Sequence, residues 1–416
     1  MIQSDKISDY LRKRGIKGPW KIHSAPDKKF DYILIVPVIS ESKNIPNLLL
    51  SISNQVSVDL ENIMVIIVIN NGENPDVNIY QDNCNLRFYL DKETFPFHLT
   101  YVDAFTPGYQ LSEKLIGVGM ARKIGTDLSL QMVSKNGLLF HTDGDCYLSP
   151  NYFSNIIRDF HQHQWAASVV GFKHQKSSIP RIENAIRNYE NMLITTADKM
   201  RQAGSIYGYP AIGSAMICTP LAYVSVSGMP KRKATEDFYF LQEIAKYREV
   251  SWNDEILVHP SPRAEQRVHL GTGFRMSQVV NGFEIQTLEY SEIAFRILHD
   301  WIRLAADNYK TDIKDLILKC KIIHEDFPKF IISLQIEAVW DGINHSAPTS
   351  GHFALQFQRW FDGLKSIHLL RNFSDKFPGF SEFIENFPGL RINTNKIQSK
   401  LWGRKFSPGF NQLGIF

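Results

Sequence analysis

The sequence predicts an α/β fold, with a doubly wound, mostly parallel sheet followed by a helical C-terminal module. Three observations lead there. Unbroken apolar runs alternate with helix-period segments over the first two thirds of the chain, and the runs end in amides and carboxylates. The last third keeps only helical periodicity and is rich in aromatics. Strands covered on both faces read as such continuous apolar runs, and ligands of these sheets bind outside the carboxyl ends of the strands.

The elements follow in order. Residues 1–29 form an N-terminal helical extension that closes in the turn Pro26-Asp27-Lys28-Lys29. Tyr32 to Val36 is the first strand, and Pro46 opens a helix through Leu48, Leu49 and Ile52. Met64 to Ile69 is the second strand and ends at Asn70-Asn71-Gly72. A third, His98 to Val102, leads into a helix expected from Ser112 to about Val133. The fourth strand, Gly137 to Phe140, runs into His141-Thr142-Asp143-Gly144-Asp145. Ala166 to Phe172 reads as a strand, Arg181 to Gln202 as a helix, and Ala211 to Cys218 as a strand with small residues at Gly213, Ser214 and Ala215. Thr235-Glu236-Asp237 opens a helix whose apolar positions Phe238, Leu241, Ile244 and Ala245 share one face. After the strand Ile256 to His259 a basic, turn-rich loop runs from Pro260 to Arg267 and closes on Gly271-Thr272-Gly273. From Phe274 the chain is helical, and from about Asp375 it is expected to be irregular.

Composition narrows the function. At 416 residues the chain exceeds one ordinary core, so a catalytic domain with a second module is expected. Lys plus Arg at 46 against Asp plus Glu at 43 leaves +3, too balanced for a nucleic-acid binder that neutralises phosphates. Four scattered cysteines without C-x-x-C spacing argue against a zinc site or a disulfide framework and fit a reducing compartment. The N-terminus lacks an apolar core of signal-peptide length, and Met64 to Ile69 is too short to span a bilayer. A cytoplasmic protein is expected, with attachment at the membrane face left open.

Asp143 and Asp145 leave one strand end with Gly144 between them, where a backbone or a phosphate can approach closely. Such hard oxygen ligands suit Mg²⁺ or Mn²⁺, which take one or two carboxylates and fill the other positions with water and phosphate oxygens. The second acidic pair, Glu236 and Asp237, stands in a first helical turn behind Thr235 in the capping position. Acids are favoured there by the helix dipole even without a catalytic role.

Taken in order, five segments resemble the nucleotide-sugar-dependent glycosyltransferases of family 2, which have the GT-A fold, over roughly residues 30 to 270. They are Val36-Pro37-Val38-Ile39-Ser40-Glu41, Asn70-Asn71-Gly72, Gly119-Met120-Ala121-Arg122-Lys123, Asp143-Gly144-Asp145 and Thr235-Glu236-Asp237. The resemblance implies a catalytic domain over 30–273 that binds the nucleotide sugar, with a helical, aromatic-rich module over 274–416. It implies that Pro37, Ile39 and Glu41 line the nucleoside pocket, that Asn71 faces the base, and that Arg122 approaches the base or the pyrophosphate. Asp143 would meet ribose or metal and Asp145 would hold the metal, Mn²⁺ or Mg²⁺. The second pair would supply the base, Asp237 ahead of Glu236. A third metal ligand is often a histidine beyond the base-bearing helix, here His259 or His269.

The chemistry fits that assignment. A sugar leaving a nucleoside diphosphate deposits charge on the β-phosphate, where a divalent cation stabilises it, and a carboxylate across the anomeric carbon can take the acceptor's proton in one inverting displacement. Arg263 and Arg267 are expected to offer forked donors to the pyrophosphate from a loop that closes over the donor. The donor is expected to be UDP-linked and the acceptor to be a glycan, a lipid-linked sugar or a small molecule. Asn70-Asn71, where relatives often carry aspartate, and Lys123, where asparagine is common, put the base preference in doubt. Gln356-Phe357-Gln358-Arg359-Trp360 matches a pattern of processive polysaccharide synthases, but it lies far past Thr235-Glu236-Asp237 and is read as coincidence. Two other readings stay open. A nucleotidyltransferase that forms sugar nucleotides should carry a glycine-rich loop after the first strand, and Ile39 to Lys43 has no glycine. An inactive nucleotide-sugar-binding relative is separated only by turnover.

Overall fold

The computed structural model describes residues 2–264 and 271–374. Its one sheet has eight strands: β1 (Phe30–Val38), β2 (Ile63–Asn70), β3 (His98–Ala104), β4 (Val133–His141), β5 (Tyr147–Leu148), β6 (Ala167–Phe172), β7 (Met216–Cys218) and β8 (Val250–His259). They lie in the order β3-β2-β1-β4-β7-β6-β8-β5. β1 is parallel to β2 and β4, β2 to β3, and β6 to β8, whereas β7 is antiparallel to β4 and β6, and β5 to β8. This is the α/β, doubly wound, mostly parallel sheet expected from the alternation of strands and helices.

The apolar runs fold this way because both sheet faces are covered. All eight residues of β2 are buried, and Leu34, Val36, Val38, Ile67 and Ile69 join Leu48, Leu49 and Ile52 in one core. Burying each such side chain contributes on the order of 1.5–3 kcal/mol. The parallel run β3-β2-β1-β4 brings the ends of these strands to one edge, with Val38 beside Ile69 and Ile35 beside His141. The helices are α1 (Ile2–Lys13), α2 (Ile45–Ser53), α3 (Val77–Lys92), α4 (Val118–Ser129), α5 (Tyr152–His163), α6 (Pro180–Gln202), α7 (Pro220–Ser225), α8 (Glu236–Tyr247) and α9 (Thr272–Val280).

Several boundaries differ from expectation. The helix expected from Ser112 begins only at Val118, because Gly117 at φ 147° breaks the chain direction just before it, and it ends at Ser129 ahead of β4. Of the strand expected over Ala211 to Cys218 only Met216–Cys218 pairs, and Gly213–Ala215 forms a short helical turn instead. α3 and α5 have no counterpart in the sequence reading. α3 buries few residues, the polar Asn83 among them, so its apolar period is faint.

Contacts divide the chain into two units, Met1–Glu289 with Gln358–Ser366, and Tyr290–Phe357 with Ile367–Phe416. The second unit is helical where described, with α10 (Glu292–Asp307), α11 (Ile313–Cys320), α12 (Phe327–Ser333) and α13 (Trp340–Ser346). Its core is aromatic: the Trp301 ring meets Phe327 and Phe357 edge-on, each at 5.3 Å between centroids. Among the described residues no helix is long and apolar enough to cross a membrane. The expected irregular stretch from Asp375 lies outside the described residues.

Candidate active site

The centre of the site is one buried guanidinium. Arg122, on α4 and 1% exposed, donates from Nε to Glu236 Oε1 at 3.0 Å, from Nη2 to Asp143 Oδ1 at 2.5 Å and from Nη1 to the Thr142 carbonyl at 3.3 Å. It thereby joins the end of β4 to the start of α8. Asp237 is beside it: a Cβ on Gly213 would stand 2.6 Å from Arg122 Nη2 and 3.5 Å from Asp237 Oδ2. That crowding explains why a glycine stands at this position. Arg122 is therefore not a solvated surface cation.

The junction depends on close backbone approach. Gly119 donates its N–H to the Arg232 carbonyl at 3.2 Å, and a Cβ there would stand 2.5 Å from the Pro230 carbonyl oxygen. Only a glycine lets the start of α4 lie against the segment that leads into α8. Thr235 does not cap α8. It sits in the left-handed region at φ 61°, and its hydroxyl donates to the Ala234 carbonyl. Ser40, just before Glu41, is also left-handed at φ 54°. Two non-glycine residues in strained conformations thus precede two of the site acids.

Three carboxylates face Arg122, and burial is the main influence on the titration of two of them, Glu236 and Asp237. Burial lowers the affinity of Arg122 for its proton, but Asp143, Glu236 and Asp237 outweigh it and the net shift is upward. Burial raises Glu236, and the charge of Asp237 adds to it against the pull of Arg122. Burial also raises Asp237, partly offset by N–H groups of Phe238 and Gly213 and by Arg122. Phe238 N lies 2.7 Å from Asp237 Oδ1. Such a carboxyl is poised nearer neutrality than a free aspartate, which favours general-base work.

A second arginine holds the other acids. Arg263 donates from Nη1 to Glu41 Oε2 at 2.9 Å and from Nη2 to Glu41 Oε1, and its Nε lies 3.2 Å from Asp145 Oδ2. Glu41 is buried, 5% exposed, and Asn44 Nδ2 donates to it at 2.6 Å. Pro37 is buried within β1 beside Val68, and Ile39 is half-buried just past the strand end. Asn71 is fully buried. With its amide nitrogen turned inward it donates to the carbonyls of Gly72 and Phe105 at 3.2 and 3.1 Å, which fastens the loop after β2. Gly144 packs closely: a Cβ there would meet Ile45, Val38 and Glu41 between 3.2 and 3.4 Å.

Asp143 and Asp145 offer hard oxygens at one strand end, with side chains 39% and 16% exposed, and this donor set fits Mg²⁺ or Mn²⁺ completed by phosphate and water. Among the described residues no three His, Cys, Asp or Glu side chains come together as a metal cage. His259 does not join the two aspartates. Its Nε2 is 3.0 Å from Ser149 Oγ, its Nδ1 is 3.1 Å from the Lys173 carbonyl, and its ring stacks on Tyr147 at 4.4 Å. Both nitrogens are engaged in fastening the strand ends, and burial lowers the ring's pKa. Arg267 and His269 lie outside the described residues.

Three contributors were not singled out in the sequence. Thr142 supplies the carbonyl on Arg122. Gln175 donates from Nε2 to the carbonyls of both Asp145 and His259 at 2.9 Å, a link that no local pattern announces. His141 ends β4 fully buried, and neither ring nitrogen has a hydrogen-bond partner among the described residues. Burial, and then the charge of Arg122, hold it neutral. Its position just ahead of Thr142-Asp143 was the available signal. Gln358 and Arg359 of the synthase-like pattern serve as fasteners: the Gln358 carbonyl accepts from Tyr207 Oη and Arg359 Nε donates to the Lys246 carbonyl, each at 2.8 Å.

No family model matches the chain, and no curated protein matches it. Solved glycosyltransferase structures are similar to it. S. aureus TarS 1–349 in complex with UDP is 13% identical over 74% of this chain and 92% of that one, with a TM-score of 0.37. The same TarS segment in complex with UDP-GlcNAc is 13% identical over 74% and 92%, with a TM-score of 0.40. Mannosyltransferase PcManGT from Pyrobaculum calidifontis, in complex with GDP-Man and Mn²⁺, is 14% identical over 97% of each chain, with a TM-score of 0.39.

Proposed function

We propose that the protein is a GT-A-type glycosyltransferase that moves a sugar from a nucleoside diphosphate, UDP first, to an acceptor hydroxyl in one inverting displacement. The observation that carries this reading is the meeting of Asp143, Glu236 and Asp237 around Arg122, which brings two acidic pairs more than ninety residues apart in sequence to one sheet edge. Glu41, with Pro37 and Ile39, lines the nucleoside side. Asp145 and Asp143 hold Mn²⁺ or Mg²⁺, which supplies charge stabilisation for the leaving diphosphate. Arg263 offers its guanidinium to the diphosphate. Asp237 takes the proton of the acceptor hydroxyl, and Glu236, held by Arg122 Nε, fixes the start of the helix that carries it. We assign this catalytic role to residues 30–273 and expect a glycan, lipid-linked or small-molecule acceptor.

A panel of nucleotide sugars tests the reading, with thermal stabilisation and metal-dependent donor hydrolysis as readouts. One nucleotide sugar is expected to raise the melting temperature and to be hydrolysed only with Mn²⁺ or Mg²⁺. A panel in which none stabilises or reacts would overturn it.

A further inference from the structure

We propose that Gln175 is a positioning residue for the Asp143-Gly144-Asp145 turn, holding the backbone of Asp145 where its carboxylate meets the ion, and that α6 braces Gln175 through Arg187. The inference rests on the assignment of Asp145 to the metal made above. The turn is fastened at its two acids by different elements. At Asp143, Arg122 on α4 donates to the carboxylate and to the preceding Thr142 carbonyl. At Asp145, Gln175 Nε2 donates to the main-chain carbonyl at 2.9 Å and, also at 2.9 Å, to the carbonyl of His259, the last residue of β8. Within the turn Cys146 N donates back to the Asp143 carbonyl at 3.2 Å. A primary amide suits position 175, since its two N–H groups can each serve a carbonyl from a different segment.

Gln175 is itself held in place. Its N–H donates to the Pro260 carbonyl at 2.9 Å, while its own carbonyl and that of His174 accept from Arg187 Nη2 at 3.2 and 2.9 Å. Arg187 lies between two acids of α6. Its Nε donates to Glu183 Oε1 at 2.8 Å, and its Nη1 donates to Glu190 Oε1 and Oε2 at 2.9 and 2.8 Å. Glu190, 7% exposed, also accepts the His174 N–H and faces His174 Nδ1 at 2.9 Å, and Glu183 accepts the Ser177 N–H at 2.7 Å. A charged set joined by this many hydrogen bonds is stiff, so the segment that leaves β6 is tied to a helix of 23 residues. The stiffness reaches the ion through Gln175. Hard divalent ions accept oxygen ligands only within narrow distances, about 2.0–2.1 Å for Mg²⁺, so releasing the Asp145 backbone loosens the carboxylate that the site depends on.

Gln175→Met keeps the length of the side chain and removes both donors. Mn²⁺ affinity is read from the electron paramagnetic resonance signal of the free ion at saturating UDP, and UDP affinity without metal is read by calorimetry. Chelation of Mn²⁺ by UDP itself is common to all variants and cancels. Groups that orient metal ligands govern affinity strongly, so Gln175→Met is expected to bind Mn²⁺ with UDP about 10-fold more weakly while metal-free UDP affinity stays within about twofold. Arg187→Lys keeps the charge without the planar fork and should move Mn²⁺ affinity the same way by a smaller factor. Gln358→Met is the control for stability, since it loses a bond to the Gly204 carbonyl, just past the far end of α6. It should melt earlier and keep parental Mn²⁺ affinity. Parental Mn²⁺ affinity in Gln175→Met, or an equal loss in Gln358→Met, overturns the proposal. If Gln175→Met melts too early to measure, Gln175→Asn, whose amide stops a methylene short of both carbonyls, gives the same two readings. Failure of the underlying metal assignment looks different: Asp145→Asn would then bind Mn²⁺ with UDP as tightly as the parent.

Discussion

At the scale of single residues, the site is a problem of charge held out of water. One guanidinium, Arg122, serves three carboxylates, so the set carries excess negative charge and Asp237 is raised by its burial. Asp237→Asn keeps shape but cannot accept a proton. Turnover is expected to fall by about 10²–10⁴-fold while donor affinity stays within a few fold. Steady-state rates and calorimetric donor binding on one preparation check this, and near-parental turnover would move the base to Glu236. The pH profile follows with a definite sign. A base works only when deprotonated, so activity should fall as pH drops through the raised pKa of Asp237, at a higher pH than for an ordinary aspartate. Glu236, raised further by burial and by the charge of Asp237, takes up its proton first as pH falls, so Glu236→Gln should leave the acid limb close to its parental position. A limb that moves to lower pH would show that Glu236 is ionised beside Asp237.

At the scale of elements, α4 and α8 act as one joint. The contact at Gly119 sets Arg122 against Glu236, so Gly119→Ala pits helix propensity against packing. Alanine gains about 1 kcal/mol in a helix interior, but overpacking against a carbonyl 2.5 Å away costs about 1–3 kcal/mol, and since the atoms met are backbone of Pro230 and Arg232 packing should win. A lowered melting temperature is expected, with kcat reduced more than donor affinity. An unchanged melting temperature would show that residues 230–233 yield. This joint also marks how far sequence could be read. The strands were legible because a run such as Met64 to Ile69 is apolar throughout, and Asp143 and Asp145 because they follow the end of such a run. The need for glycine at 117 and 119 was not legible, since what these residues accommodate is a backbone more than a hundred residues away. Arg122 could be placed in the site by resemblance but not by composition. The inward turn of Asn71, the engagement of both His259 nitrogens and the clamp of Gln175 depend on partners from distant segments, which no local spacing encodes.

At the scale of the whole first unit, the N-terminal residues are built into the fold that carries the candidate site. Asp127, buried on α4 one turn beyond Lys123, accepts from Tyr10 Oη and Tyr223 Oη at 2.8 Å and from Ile16 N at 2.9 Å, and it pairs with Lys123 at 2.9 Å. Lys123 is explained by this network. Further along, Ile22 bridges Val102, His23 N donates to the Tyr101 carbonyl, and the Thr100 hydroxyl donates to the His23 carbonyl. The segment therefore covers the edge strand β3. Tyr10→Phe removes one hydroxyl from a buried charged set and should cost about 1–3 kcal/mol, read as a lower denaturation midpoint. Deleting residues 1–29 should cost more, because Asp127 then loses two donors and the β3 edge is opened to pairing with other chains. Light scattering should show association of the truncated protein that Tyr10→Phe does not show. Donor binding separates stability from site geometry. Arg122 lies on the same helix as Asp127, five residues away, so the truncated protein should bind UDP more weakly even well below its melting temperature. Full UDP affinity in a truncated, monomeric protein would show that the N-terminal segment supports the fold without shaping the site.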